Sequence, residues 1–315
     1  MNTFSLDFVR LTFLFKAQVE SHLPPYMGSM LRGAMGTIFR RNACMAEKAD
    51  CKDCMFIRQC EYAYVFKTSH LNAAENTEQH YVPRPFVIKP PLDEKTYYSA
   101  GKTFEFELLL IGRGADLLPF FIAAFAEAAQ NGFSTGRYPF QLEKVEQNLP
   151  EGRQLLWDGG KQLHRQPVLE RSRPVKLEGD ADRHCITLKL RTPIRMVDRG
   201  KLSNELDFVL LMHNIFSRLD LLGRAHGTGC LDLPYEELLD KASRVEIVPE
   251  ISVLRWEDWQ RYSYRQEKSL LMDGLVGRIT YQGELEPFMP YLRMAEIFHV
   301  GKGTVFGLGN ILMYS

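Results

Sequence analysis

The sequence predicts an α+β protein made of two successive β-α-β-β-α-β units, the order of the ferredoxin-like (RRM-like) fold. Three observations predict it. Strand-like and helix-like apolar patterns run through that order twice. A polar stretch with two prolines and no clear period lies between the two runs. The 315 residues, 45% of them hydrophobic, suffice for two ordinary domains with their own cores.

The first run opens with "FSLDFVRLTFLFKAQ", which alternates apolar and polar residues and is rich in Phe, Val and Leu: a strand. "YMGSMLRGAMGTIFRRNA" sets Met30, Leu31, Ala34, Met35 and Ile38 at helical spacing, with Ser29 as its cap. A cysteine-rich segment and a polar loop to about Gln79 follow. "RPFVIKP" and "KTFEFELLLIG" read as strands, "ADLLPFFIAAFAEAAQNG" as a helix ended by Gly132, and "YPFQLEKVEQN" as a strand. These elements define a first domain over residues 1–160, carrying the cysteine-rich insertion, and residues 161–183 form a connection. The second domain, 184–315, repeats the order. "HCITLKLRTPI" is a strand and "LDFVLLMHNIFSRLDLLGRAHG" a helix. "SRVEIVPEISVLRWEDW" and "SLLMDGLVGRITYQG" are strands, "PFMPYLRMAEIF" a helix, and "GLGNILMY" the last strand.

Charge balances at 39 basic against 39 acidic residues, so the net charge gives no ground for a global attraction to nucleic acid. Locally it does not balance. Basic residues outnumber acidic ones from Lys161 to Lys201, and the reverse holds from Leu231 to Glu250. "MNTFSLDFVRLTFLF" lacks the pattern of a secretory leader, and the longest apolar stretch, "LLPFFIAAFA", is too short to span a bilayer. A cytoplasmic protein with no membrane partner is expected, and its six cysteines are then not a disulfide framework.

"HVGKGTVFGLGN", His299 to Asn310, holds glycine at 301, 303, 307 and 309. Dinucleotide fingerprints and P-loops need a strand before the glycines and a helix after them. Here a helix precedes and a strand follows, and Lys302 lacks the Gly-Lys-Ser/Thr register. Nucleotide hydrolysis and hydride transfer are poor readings. The loop either lies against a phosphate backbone, its amides forming an anion nest, or serves as a tight fold-closing turn.

The tail "GLVGRITYQGELEPFMPYLRMAEIFHVGKGTVFGLGNILM" resembles the C-terminal region of the CRISPR-associated endoribonucleases of the RAMP superfamily, which process precursor CRISPR RNA. "RTPIRM" (Arg191 to Met196), "WEDWQRYSYRQ" (Trp256 to Gln266) and "PPYMGSMLRGAMG" are similar to the same family. The resemblance implies cleavage within the CRISPR repeat without a metal. The ribose 2′-OH attacks the adjacent phosphate, giving a 2′,3′-cyclic phosphate and mature guide RNA. That chemistry needs a base, an acid and a cation for the phosphorane. The resemblance also implies repeat RNA as the partner, with other CRISPR effector subunits as further partners. Both the enzyme and a non-catalytic repeat-RNA-binding subunit use this fold and loop. A scaffold for protein contacts is the reading outside RNA.

On that resemblance the glycine loop lies on RNA backbone through Gly301, Gly303, Gly307 and Gly309, with Lys302 adding charge and His299 a ribose or phosphate contact. The catalytic histidine falls between the first helix and the following strand, or within the helix. Among eight histidines, His70 and His80 occupy that interval, and His80, in "QHYVPRPFVI", is the first choice over an ordinary loop histidine. Tyr26, Arg32, Tyr81 and Arg84 are candidates to position it or stabilise charge. Arg255, Arg261 and Arg265, interleaved with Trp256, Trp259, Tyr262 and Tyr264, have the composition of an RNA-binding face, though also that of a solvated hairpin. Arg40 and Arg41 end the first helix, either contacting phosphates or complementing its dipole.

Cys44, Cys51, Cys54 and Cys60 have six, two and five residues between them. The spacing suits a closed structural zinc site that orders the loop before His80. An iron–sulfur cluster uses the same ligands, and free thiols are the plain alternative. Cleavage itself is expected to need no cofactor.

Overall fold

The computed structural model describes residues 4–46, 50–68, 81–177, 180, 184–258, 260–263 and 268–314. The chain divides into two compact units. One is Asp7–Arg171; the other is Ser172–Ser315 together with the residues up to Leu6.

The Asp7–Arg171 unit is built on a six-stranded sheet, five of whose strands run antiparallel, one beside the next, across it. Its central strand β1 (Leu6–Ala17) pairs on one side with β3 (Thr103–Ile111) and on the other with β4 (Phe140–Leu149). β2 (Phe86–Lys89) extends the sheet beyond β3, and β5 (Gly152–Trp157) extends it beyond β4. A short strand at Glu170–Ser172 also pairs with β1. The order β2-β3-β1-β4, with helix α1 (Gly28–Ala43) after the first strand and α3 (Leu118–Gln130) after the third, is the ferredoxin-like topology. α2 (Glu61–Phe66) is an addition within the cysteine-rich insertion.

Phenylalanines make this core. Phe13 and Phe15 of β1 are fully buried. Phe13 stacks on Phe106 of β3 at 5.3 Å and meets Phe125 of α3 at 5.1 Å. Each such ring contributes about 2 kcal/mol through burial. α1 packs on α3 and buries Leu31, Met35, Ile38 and Phe39. Its start differs from the sequence expectation. The N-cap position falls on Met27, with no side-chain cap, and Ser29 lies inside the first turn.

The second unit repeats the topology. β6 (Cys185–Ile194) lies between β8 (Gly274–Gln282) and β9 (Ile311–Tyr314), and β8 pairs at its outer edge with β7 (Val253–Glu257). Helices α4 (Phe208–His226) and α6 (Met289–Phe298) complete it, with α5 (Tyr235–Ala242) packed on α4. Phe208 anchors α4 by edge contacts to Tyr281 at 4.9 Å and Phe288 at 5.0 Å, and the Tyr281 hydroxyl donates to Leu206 O at 2.7 Å.

Several expectations need correction. The strand read over "SRVEIVPEISVLRWEDW" is two short strands, because Pro249 starts a 3-10 turn at Pro249–Ile251. "SLLMDGLVGRITYQG" also divides, into Lys268–Leu271, paired with Gln260–Ser263, and β8. The first residues do not all belong with the first domain. Ser5 N–H donates to Thr228 Oγ1 at 2.9 Å, and Thr228 N–H donates back to Ser5 O at 3.1 Å. Thr228 follows α4, so these residues complete the second unit.

Candidate nucleic-acid interface

The glycine loop begins where α6 ends. His299 leaves the helix at φ 56°, and Gly301, Gly303, Gly307 and Gly309 all have φ between 72° and 92°. Thr304–Phe306 form a 3-10 turn flanked by Gly303 and Gly307. The loop is laid along the end of β6. Lys302 N–H donates to Arg195 O at 3.0 Å, Gly309 N–H to Pro193 O at 3.0 Å, and Thr192 Oγ1 to Gly307 O at 2.9 Å. Thr192 Oγ1 accepts in turn from Asn310 N–H. The stretch "RTPIRM" is therefore the bed on which the glycine loop rests.

This packing divides the loop. A Cβ on Gly309 would stand 1.8 Å from Val300 O, and one on Gly301 2.6 Å from Arg195 O. Gly307 and Gly309 are buried, and the amides of Lys302, Gly307 and Gly309 donate to the chain itself. Those amides cannot form an anion nest, and the fold-closing reading accounts for both buried glycines. Lys302 is exposed, at the tip between half-buried Gly301 and Gly303.

His299 is 1% exposed, and its Nδ1 lies 3.0 Å from Leu308 O. From its place in the core the ring does not reach a ribose or phosphate at the surface; it fastens the loop. Arg218 of α4, also buried, donates through Nε to His299 O at 2.7 Å and through Nη2 to Phe298 O at 2.7 Å. A cation thus closes the C-terminal end of α6, where carbonyls lack helical partners.

The open faces of the two sheets differ in charge. In the first unit, Arg153 of β5 holds Glu105 of β3 through two bonds of 2.7 and 2.8 Å, and Lys144 holds Glu146 at 2.7 Å. The Arg153 guanidinium keeps the Glu105 carboxyl below its usual range. In the second unit, Lys189 of β6 stands opposite Arg278 of β8, both exposed, and Arg191 is exposed two residues along. Sequence reasoning missed these three. The signal was the alternation in "HCITLKLRT", which puts Thr187, Lys189 and Arg191 on the face away from Ile186, Leu188 and Leu190.

The other expected residues separate. Arg255 is exposed but pairs with Glu257 at 3.0 Å. Arg261 lies in the strand Gln260–Ser263, and Arg265 lies outside the described residues. Arg41 pairs with Glu127, and the Arg40 guanidinium sits 5.7 Å from the Tyr62 ring, so both have structural tasks. His80 and His70 lie outside the described residues. Arg32 and Arg84 meet at Phe66 of α2: the Arg32 guanidinium lies 5.3 Å from its ring, and Arg84 Nε donates to its carbonyl at 3.3 Å. Tyr81 is exposed. Burial raises the Tyr26 phenol well above its usual pKa, which suits a proton donor and not a base. Of the other histidines, His213 pairs with Tyr235, His164 lies 2.7 Å from Asp158, and His22 packs on Tyr97.

All four insertion cysteines are free and line one small pocket, with Ala46, Ile57 and Ala63 as its remaining wall. They line it without closing on its centre: among the described residues no three His, Cys, Asp or Glu side chains are gathered as a metal shell. No helix of the described residues is long and apolar enough to cross a membrane.

Two ferredoxin-like units, the second closed by a glycine loop between its last helix and last strand, define a RAMP-type protein. Residues 188–311 match the family model of the CRISPR-associated endoribonuclease Cas6. Residues 6–169 match the model of the AF_1859_N N-terminal domain. No curated protein matches the sequence. Among solved structures, a partial Cas6-RT-Cas1–Cas2 complex is similar at 14% identity and TM-score 0.57, over 100% of this chain and 47% of that one. The chain thus spans about half the length of that relative. A Cas6 product complex is similar at 16% identity and TM-score 0.53, over 98% of this chain and 100% of that one. Thermus thermophilus Cas6 is similar at 14% identity and TM-score 0.50, over 98% and 99%.

Proposed function

We propose that the protein is an endoribonuclease that cleaves precursor CRISPR RNA within the repeat, releasing mature guide RNA. The observation that carries this reading is the Cas6 match over residues 188–311, which takes in the glycine loop, the "RTPIR" strand end beneath it and the Lys189–Arg278 face. Exposed Lys189, Arg191, Arg278 and Lys302 are suited to phosphate oxygens, with Lys302 presented at the loop tip by the turns at Gly301 and Gly303.

In this reading the 2′-OH attacks the adjacent phosphorus, and the P–O5′ bond breaks to leave a 2′,3′-cyclic phosphate and a 5′-OH. No metal takes part in that step. His80 serves as general acid or base, while Arg32 and Arg84, drawn together at Phe66, supply positive charge for the phosphorane. Tyr26, held protonated, positions the histidine as a donor. The likeness to part of a chain in a Cas6-RT-Cas1–Cas2 complex is what supports extending this reading to contact with other CRISPR proteins.

The test is cleavage of the host's own repeat RNA in EDTA, with product ends mapped, comparing wild type with His80→Ala. One cut with a cyclic phosphate, lost in the variant while RNA binding persists, is the expected result. Unchanged cleavage by the variant would move the role to another residue. Tight, repeat-specific binding without cleavage by wild type would replace the enzyme by a repeat-RNA-binding subunit.

A further inference from the structure

We infer that Cys44, Cys51, Cys54 and Cys60 form a tetrahedral thiolate site for zinc, which fastens the segment between α1 and α2. The site does not rest on the proposed RNA chemistry.

The pocket they share is the first observation. Each cysteine stands at a bend where a helical piece ends or starts. Cys44 closes α1, its N–H donating to Arg40 O at 2.9 Å. Cys51 opens a 3-10 turn, and Cys54 closes it with an N–H bond back to Cys51 O at 3.4 Å. Cys60 closes a second 3-10 turn at Ile57–Gln59 and precedes α2. A Cys-x-x-Cys turn flanked by two further cysteines brings four sulfurs to one point with only short spans of chain to order.

The second observation is that the segment is inverted with respect to hydrophobicity. Met55 is 87% exposed, Met45 64% and Phe56 40%, whereas Cys51 and Cys60 are buried at 8% each. Burial of large side chains does not hold these residues in place, since the large side chains point to water. What is turned inward is four thiols, with alanines and one isoleucine between them. A ligand that supplies folding free energy explains such a layout, as structural zinc does in small domains. Among the described residues neither carboxylate nor imidazole lines the pocket, which makes the proposed shell one of thiolates. Four thiolates around Zn²⁺ leave two net negative charges, and Arg40 and Lys67 place positive charge beside Cys51. Closure requires the four sulfurs, which already line the pocket, to draw together on its centre. On binding, each thiol loses its proton to solvent as its S–Zn bond forms.

The site has a local consequence. α2 is covalently next to Cys60, and its Phe66 packs edge-on to Phe39 at 5.5 Å and Phe86 at 5.7 Å. Zinc would therefore pin the helix at which Arg32 and Arg84 meet.

The test is metal analysis of the purified full chain by mass spectrometry, beside Cys51→Ser, Cys60→Ser and, as control, Cys185→Ser. About one zinc per chain is expected in wild type and control, falling several-fold in the two site variants. Because a site variant can fail to fold, wild type is also titrated with an organomercurial while zinc release is followed by a chelating dye. Release in step with about four thiols supports the site. Replacement by Co²⁺ should give the intense visible bands of tetrahedral thiolate coordination. Iron with acid-labile sulfide, or a chain free of metal that takes up neither Zn²⁺ nor Co²⁺, would overturn the proposal.

Discussion

Lys189 and Arg278 face each other directly across two hydrogen-bonded antiparallel strands, cation opposite cation, on the exposed side of the second sheet. Like charges in that position destabilise a strand pair by about 0.5 kcal/mol. In the first unit the same kind of surface is neutralised from within, Arg153 holding Glu105 and Lys144 holding Glu146. Among the described residues no acidic side chain pairs with either cation, so the pair is suited to a polyanion that shares the charge. Lys189→Glu should weaken repeat-RNA binding several-fold and flatten the salt dependence by about one unit in the log–log slope. It should leave the melting temperature unchanged or raised, since the substitution creates an ion pair with Arg278. Titrations at two salt concentrations and a thermal melt check both, and undiminished binding would remove this face from the interface.

The glycine loop predicts a graded response to alanine. Gly309→Ala forces a side chain into a left-handed backbone at φ 72° and against Val300 O. Strain and displaced backbone together should cost about 3 kcal/mol or more. Gly200 has φ 83° with open space where a Cβ would point, so Gly200→Ala should cost about 1 kcal/mol. Denaturant unfolding of the two variants gives the comparison, and equal losses would refute the steric account.

Arg218→Met keeps much of the side chain's length and removes its charge and donors. The carbonyls of Phe298 and His299 lose their buried partner, a penalty of about 2–3 kcal/mol. Hydrogen exchange should show the loss first in α6 and the loop. A variant as stable as wild type would mean that water replaces the guanidinium there.

The Glu105–Arg153 pair sets a pH dependence. The folded pKa of Glu105 is depressed, first by the hydrogen bond from Arg153. Its contribution is present above the unfolded-state value near 4.5 and is lost as pH falls through the lower folded value. Both side chains are nearly half exposed, so solvent screening leaves an effect of about 0.5 kcal/mol. Glu105→Gln should lower stability at pH 7, and the gap from wild type should close below about pH 4. A gap that persists in acid would assign it to packing.

Much of this was legible in the residues. β1 announced itself because Leu11, Phe13 and Phe15 alternate with Thr12, Leu14 and Lys16; the first face is buried and the second half-buried, apart from Thr12, which is buried too. α5 was not legible. "YEELLDKA" is short and acidic; its apolar side amounts to Leu238 and Ala242, and Glu237–Lys241 and Asp240–Arg244 pair at helical spacing, a weak signal over eight residues. The glycine loop was found as a motif but its inward half was misread. Sequence shows that glycines recur, whereas only the register of Pro193, Arg195 and Val300 shows which of them are pressed against carbonyls. His299 misled for the same reason, since a histidine beside glycines looks exposed until Leu308 O and Arg218 are seen around it. The face formed by Lys189 and Arg278 depends on pairing strands 89 residues apart in sequence, which no local pattern encodes.

Ser5 and Thr228 bond to each other across 223 residues of sequence. During synthesis the strip ending at Leu6 leaves the ribosome long before α4 exists, so it must wait unpartnered while the strands that follow it assemble. A connection of that span closes slowly, although lengthening it adds little to its equilibrium cost. A protein cut between residues 171 and 172 would therefore not yield two self-sufficient halves, because the later half is finished by residues that were translated first.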